Sequence, residues 1–122
     1  MTNKHQGQRI IIVSDGTGET AAQMTQAAMV QFSDHQVYFT RYKNVRNEAQ
    51  IEAICEDAAA NMDLLVYTIV SPHLRHFLVQ CAQEHELPCV DLLGPLLMGL
   101  ANHFGYEQKS IAGLLHNVDE KN

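Results

Sequence analysis

Tryptophan is absent from this chain of 122 residues, proline occurs three times, and only 7% of the residues are aromatic. Charge is sparse as well: 18% of residues are charged, with a net charge of -6. A chain with that balance gains nothing from displacing counterions on nucleic-acid phosphates, which excludes DNA and RNA as expected partners. No stretch approaches the run of about 20 apolar residues that spans a bilayer, so no membrane partner is expected. Met1 to Gln8 is polar, holds no apolar leader core and reads as a disordered tail. The three cysteines, Cys55, Cys81 and Cys89, are widely spaced and form no CxxC pair. They read as reduced thiols of a cytoplasmic protein rather than as a disulfide framework. The seven histidines include His73 and His76, three apart, but no HExxH and no Cys/His cluster accompanies them. No metal centre is therefore expected.

What the chain does contain is apolar patterning, with 46% hydrophobic residues. That content and length suit one domain with its own core. Ile10-Ile11-Ile12-Val13 is a β-branched run of the kind found in a strand covered on both faces. Ala21, Met24, Thr25, Ala28, Met29 and Phe32 recur at helical spacing and predict a helix over 19–32. Residues 36–42 predict a second strand, rich in Val, Tyr, Phe and Thr. Ile51, Ile54, Cys55, Ala58 and Met62 mark a second helix. Residues 64–70 predict a third strand. Ser71-Pro72 then opens a third helix, buried through Leu74, Phe77, Leu78, Cys81 and Ala82. A short strand at 88–91 precedes a fourth helix with the stripe Leu93, Leu96, Leu97, Leu100 and Phe104, ended by Gly105.

Strict strand-helix alternation predicts an α/β three-layer sandwich: a four-stranded parallel sheet with helices on both faces, in the Rossmann or flavodoxin-like manner. The domain is expected over 9–106. Residues 107–122, with the apolar cluster Ile111, Leu114 and Leu115, read as a C-terminal extension.

Open parallel sheets bind ligands beyond the carboxyl ends of their strands. Three loops belong there, and they make Ser14, Asp15, Gly16, Thr17, Gly18, Thr20, Ser71 and Asp91 the candidate ligand cleft. Glycines let the Ser14–Thr20 turn approach a ligand, and amides at the start of the next helix face an anion. Asp15 and Glu19 oppose that anion unless a basic residue compensates. The alternative is structural: Thr17 caps the helix, Gly16 and Gly18 make the turn, and Glu19 favours the helix dipole. Asp91 divides in the same way between a ligand role and a bond to its own turn, and Ser71 between the cleft and an N-cap. Arg41, Lys43, Arg46 and Arg75 offer an anion patch or a solvated surface. The turn is neither a P-loop, since no Gly-Lys-Ser/Thr follows, nor GxGxxG. No catalytic residue is assigned.

Three segments carry a resemblance. Ile12-Val13-Ser14-Asp15-Gly16-Thr17-Gly18-Glu19-Thr20-Ala21, Val90-Asp91-Leu92-Leu93-Gly94-Pro95-Leu96-Leu97 and Gly113-Leu114-Leu115-His116-Asn117-Val118-Asp119-Glu120 resemble the pyruvate, phosphate dikinase and phosphoenolpyruvate synthase regulatory proteins. The likeness spans nearly the whole chain after Gly7. It implies the N-terminal domain of a bifunctional cytoplasmic serine/threonine kinase and phosphorylase. Such an enzyme phosphorylates a threonine of its target with ADP while the target's catalytic histidine is phosphorylated, and removes that phosphate with inorganic phosphate, releasing pyrophosphate. The resemblance thus implies ADP and phosphate for the full-length family. It implies pyruvate, phosphate dikinase or phosphoenolpyruvate synthase as partner, with a homodimer as a further expectation. The family continues into a P-loop region that nothing in this sequence matches. No ADP-binding residue or cofactor is assigned to this chain, and the 122 residues alone are expected to be inactive. A second likeness competes: Thr17-Gly18-Glu19-Thr20 is similar to the TGxT phosphate loop of flavodoxins. The missing tryptophan, the lack of an aromatic after the third strand and a count of four strands speak against an FMN site. A non-catalytic interaction module is the third expectation.

Overall fold

A computed structural model describes residues 8–105. The residues assigned to the N-terminal tail up to Gly7, the 107–122 extension with its Ile111, Leu114 and Leu115 cluster, and the third resembling segment lie outside the described residues. The strands are β1 (Gln8–Ser14), β2 (Val37–Tyr42), β3 (Leu64–Thr68) and β4 (Cys89–Asp91). The helices are α1 (Glu19–Met29), α2 (Glu48–Ala59), α3 (Pro72–Glu84) and α4 (Gly94–Phe104), with a 3-10 turn over Val30–Phe32. The four strands pair in parallel in the order β2-β1-β3-β4. This is the expected α/β architecture. Gln8, assigned from sequence to the tail, already pairs with Val37 in β1.

The period-2 alternation of β1 and β3 explains both faces of the core. Ile11, Val13, Leu65 and Tyr67 point to one face, where Ile51, Ile54, Cys55 and Ala58 of α2 and Leu74, Leu78, Cys81 and Ala82 of α3 cover them. Ile10, Ile12 and Val66 point to the other, where Ala21 and Ala22 of α1 meet them. The step from β1 to β2 runs one way across the sheet, and the steps to β3 and β4 run back. Crossovers of one hand then place α1 opposite α2 and α3. The polar anchor of the α2 side is Arg9, which donates to Asp63 Oδ2 from Nε at 2.9 Å and from Nη2 at 2.7 Å. Asp57 joins it at 3.1 Å and accepts from the Tyr42 hydroxyl.

Three expectations about helices change. The first helical stripe is buried only at its start, because Met24 and Phe32 are exposed and Ala21 and Ala22 carry the contact. Met62 is not on α2: it sits in the following turn at φ 54 and is exposed. The larger difference is α4. It buries none of its residues. Leu93, Leu97 and Ala101 are half-covered, whereas Leu96, Met98, Leu100 and Phe104 lie open. Of the predicted stripe, only Leu93 and Leu97 have a surface within the described residues to pack against.

Candidate functional site

The chain direction reverses between β1 and β3: the connection after β1 leads to β2 and the one after β3 leads to β4. The crevice at such a switch point is where open α/β sheets receive ligands. Here it is bounded by the turn after β1 and the loop between β3 and α3.

The turn after β1 has an ordered polarity. Its carbonyl oxygens are taken up in sequence by the β2 end and the connection to α2. Val45 N–H donates to Ser14 O at 3.0 Å and Asn44 N–H to Gly16 O at 2.8 Å. The Arg46 guanidinium donates to Asp15 O, and that of Arg41 to Thr17 O at 3.4 Å. Gly18 O accepts the first helical bond, from Ala22 at 3.0 Å. Asn44 reaches its place with φ 57, a left-handed conformation that asparagine tolerates. The first-turn N–H groups of an α-helix have no intrahelical acceptor, and the helix dipole is positive at the start of α1.

Every predicted site residue has a definite place. Ser14 is buried, and its Oγ accepts from Gly16 N–H at 2.9 Å. Asp15 is buried, and its Oδ2 accepts from Val70 N–H at 2.8 Å across the switch point. The idea that Thr17 caps α1 is corrected: Gly18 holds the N-cap position at φ 80 without a side-chain cap, and Thr17 Oγ1 accepts from Glu19 N–H at 3.2 Å within the turn. Thr20 is exposed in the first turn of α1. Ser71 is the N-cap of α3, accepting from Leu74 N–H at 3.2 Å. Asp91 accepts from Gly94 N–H at 2.7 Å and so steadies the entry to α4. The structure thus brings Ser14 to Thr20 together with the Val70-Ser71 corner. It sets Asp91 one strand further along, with its side chain on its own turn.

The sequence leaves Arg41, Arg46 and Arg75 open between an anion patch and a solvated surface. Arg41 and Arg46 grip the turn, and Arg75 reaches back from α3 to Ile69 O and Val70 O, both at 3.0 Å. Two guanidinium groups therefore border the turn that carries Asp15 and Glu19, and a third holds the loop that Asp15 reaches through Val70. The sequence signal was the basic run Arg41, Lys43 and Arg46 just past a strand adjacent to β1, a location that faces the β1 turn once the strand order is known. Beside them, burial first and then the nearby Asp91 push the Tyr67 phenol up to about 12, so it stays neutral. The cysteines lie away from this edge. Burial, followed by Cys81, pushes the Cys55 thiol up to about 12, and burial raises Cys81 and Cys89 as well. None has the thiolate character of a nucleophile.

His73 Nε2 meets Glu48 Oε2 at 2.7 Å between the starts of α3 and α2. Among the described residues, no group of three His, Cys, Asp or Glu side chains is placed to hold a metal ion. A shallow depression of about 520 Å³ lies at the opposite end of β2, lined by Met29, His35, Gln36, Val37 and Tyr38. Its lining is mostly apolar and distant from the strand ends, so the switch point remains the better candidate on chemistry. No helix among the described residues is long and apolar enough to cross a membrane.

Known proteins resemble this chain over most of its length. Curated relatives named as pyruvate, phosphate dikinase regulatory proteins include one from Bdellovibrio bacteriovorus, 43% identical over 112 residues, covering 92% of this chain and 40% of the relative. Another from Pelobacter propionicus is 36% identical over 111 residues, covering 91% of this chain and 40% of the relative. A third from Desulfitobacterium hafniense is 38% identical over 112 residues, with 92% and 41% covered. The chain thus spans about two-fifths of the length of these relatives. The kinase/pyrophosphorylase family matches residues 10–122, which is most of the sequence, and the chain belongs to that family.

Proposed function

We propose that this chain is the docking or effector-sensing part of a regulatory protein acting on pyruvate, phosphate dikinase or phosphoenolpyruvate synthase, and that its ligand cleft is the switch-point crevice. In this reading Ser14, Asp15, Gly16 and Gly18 shape the turn. Thr17, Thr20 and the α1 amides face the ligand, Ser71 and Asp91 fix the neighbouring loops, and the bordering arginines balance the acidic turn. The observation that carries it is the masking of four consecutive carbonyls, Ser14 to Thr17, by one segment. The acceptors of the turn are thereby engaged, and α1 begins at Gly18 without a side-chain N-cap bond. The names of the relatives supply the target class.

The longer family protein would phosphorylate a target threonine with ADP and remove the phosphate with inorganic phosphate, releasing pyrophosphate, in the cytoplasm. The described residues do not fit the diphosphate of ADP. Their single lysine, Lys43, is exposed in the β2–α2 connection, and the turn's own charges are acidic. No phosphoryl-transfer step is therefore derived for this chain, and it should show no kinase activity alone.

Calorimetric titration of the 122-residue protein with purified pyruvate, phosphate dikinase and with phosphoenolpyruvate synthase tests the reading. Thr20→Glu is the informative variant. Its acid in the first turn favours the helix, so the fold persists, while its charge opposes an anionic ligand group at the amides. Binding to one enzyme that is lost in Thr20→Glu at an unchanged melting temperature is the expected result. No binding to either enzyme, or equal binding by the variant, sinks the proposal.

A further inference from the structure

The sheet has two outer strands, and they differ in how far they invite further pairing. β4 is three residues long and Pro88 stands immediately before it, two devices that blunt a sheet edge. β2, at the other end of the strand order, runs for six residues, Val37–Tyr42, without a proline and in unbroken register with β1. A strand turns alternate backbone N–H and C=O groups to either side. Half of those of β2 therefore face away from β1, where no strand lies beside them among the described residues. Arg41, the one charged residue on β2, does not stand across that edge. Its stem would lie 3.0 Å from a Cβ on Gly18, and its guanidinium reaches Thr17 O, so it leans toward the turn after β1.

Side chains mark both ends of this edge. At its start is the depression of about 520 Å³ lined by Met29, His35, Gln36, Val37 and Tyr38. Tyr38 is 52% exposed there, and so is the neighbouring Phe32 at 57%, whose C=O accepts from His35 N–H at 3.0 Å. At its end are the exposed cations Arg41 and Lys43. An open edge supplies main-chain bonds to an added strand, and flanking pockets and charges supply its selectivity. We propose that the outer edge of β2 takes an extended segment of a partner protein as a fifth strand. An aromatic side chain of that segment enters the depression, and acidic side chains meet Arg41 and Lys43. Charge complementarity selects this occupant. The strand Val37–Tyr42 has no acidic residue, so the β2 of a second copy brings no counter-charge to the two cations. Antiparallel addition is the more stable form. It sets the acids at the N-terminal end of the segment and the aromatic residue opposite Val37, on the sheet face that Val37, Arg41 and Lys43 share by their odd spacing. The proposal does not rest on the switch-point cleft.

The probe is the peptide acetyl-Glu-Thr-Glu-Val-Thr-Val-Phe-amide, which sets its glutamates opposite Lys43 and Arg41 and its phenylalanine opposite Val37. It is titrated into the 122-residue protein, with amide exchange read residue by residue. In the free protein, alternate amides of Val37–Tyr42 should exchange at least about tenfold faster than those between them, and bound peptide should slow that fast set by a similar factor. A peptide with lysine in place of both glutamates should bind at least about tenfold more weakly at low ionic strength. Lys43→Glu should weaken the first peptide by about fivefold and leave the melting temperature unchanged, since Lys43 is exposed. Uniformly slow exchange along β2 in the free protein overturns the proposal, because another part of this chain then covers the edge. Protection of the fast amides that grows with protein concentration overturns it in favour of a second copy. Binding weaker than about 10 mM, binding that leaves the fast amides of β2 unchanged, or equal binding by the lysine peptide or by Lys43→Glu overturns it as well.

Discussion

The carboxylate of Asp15 and the backbone amide of Val70 join the two central strand ends, 55 positions apart in sequence, at 2.8 Å. Asp15 is 4% exposed, so this charge-assisted bond is shielded from water. Asp15→Ala should lower stability by about 1.5–3 kcal/mol, the usual range for a bond to a charged group. Asp15→Asn retains an acceptor oxygen and should lose less. Urea denaturation of both variants checks the order. A melting point unchanged in Asp15→Ala, with ligand binding lost, would assign the carboxylate to the ligand instead of to the fold.

That bond shows where sequence reasoning reached its limit. The strands were legible because Ile10 to Val13 and Leu64 to Tyr67 are apolar runs that only a doubly covered sheet accommodates. Ser71 and Gly105 were legible as caps because their roles are local. The partner of Asp15 was not, since it depends on strand order, which periodicity does not encode. Arg41 and Arg46 were ambiguous for the same reason: a basic residue after a strand is a surface residue until its neighbour is known. The stripe on α4 has the spacing of a core helix, and spacing does not say which surface covers it.

Arg9 and Asp63 form the pair whose separation should be most damaging. The side chains are 14% and 4% exposed. Arg9→Ala strands a buried carboxylate and should cost about 3–5 kcal/mol. That is a large part of the roughly 5–15 kcal/mol available to a domain. The double variant Arg9→Met with Asp63→Leu removes both charges and should be much closer to the parent than the sum of the single changes. Additive losses across this cycle would show that the two side chains act separately. Asp57, at 39% exposed, should matter less than Asp63.

Stability should fall at both ends of the pH scale for different groups. The Tyr42 hydroxyl, then Arg9, holds the Asp57 carboxyl below its ordinary 3.8. A depressed carboxyl stabilises the fold above that value, and the contribution disappears as pH falls through the lower folded value. On the alkaline side, Cys55 and Tyr67 are pushed up to about 12, and Tyr42, Cys81 and Cys89 are raised as well. Raised groups stabilise fully below their ordinary values, 9.0 for the thiols and 10.0 for the phenols, and lose that contribution as pH climbs through the folded values. Chemical denaturation midpoints should therefore be level near neutrality and decline above about pH 9. Cys55→Ala should lessen the alkaline decline, and an unaltered slope in that variant would contradict the burial of its thiol.

Gly18 and Gly105 form a matched pair for separating backbone strain from steric contact. Both are left-handed, at φ 80 and φ 74. A Cβ at Gly105 would meet nothing within 4 Å, whereas one at Gly18 would sit 3.0 Å from Cγ and Cδ of Arg41. Gly105→Ala should cost about 1 kcal/mol from conformation alone. Gly18→Ala should cost more, because the Arg41 stem must also leave the turn. Combining Gly18→Ala with Arg41→Ser should bring the loss closer to that of Gly105→Ala. Equal losses in the two single variants would mean that Arg41 does not press on the turn.

Asp91 tests whether a carboxylate at the ligand edge serves its own loop. Its Oδ1 accepts from Gly94 N–H at 2.7 Å, and a Cβ on Gly94 would fall 2.1 Å from Oδ2. Asp91→Ala should cost about 1 kcal/mol through loss of this cap-like bond. Asp91→Asn keeps an oxygen for the amide and removes only the charge, so stability near neutrality should hold. Asp91 is the second cause, after burial, of the raised Tyr67 value. The asparagine variant should therefore lower the Tyr67 titration only part of the way to 10.0. Ultraviolet difference titration of the tyrosines reads that shift, and a Tyr67 curve unmoved by Asp91→Asn would place the carboxylate out of electrostatic reach of the phenol.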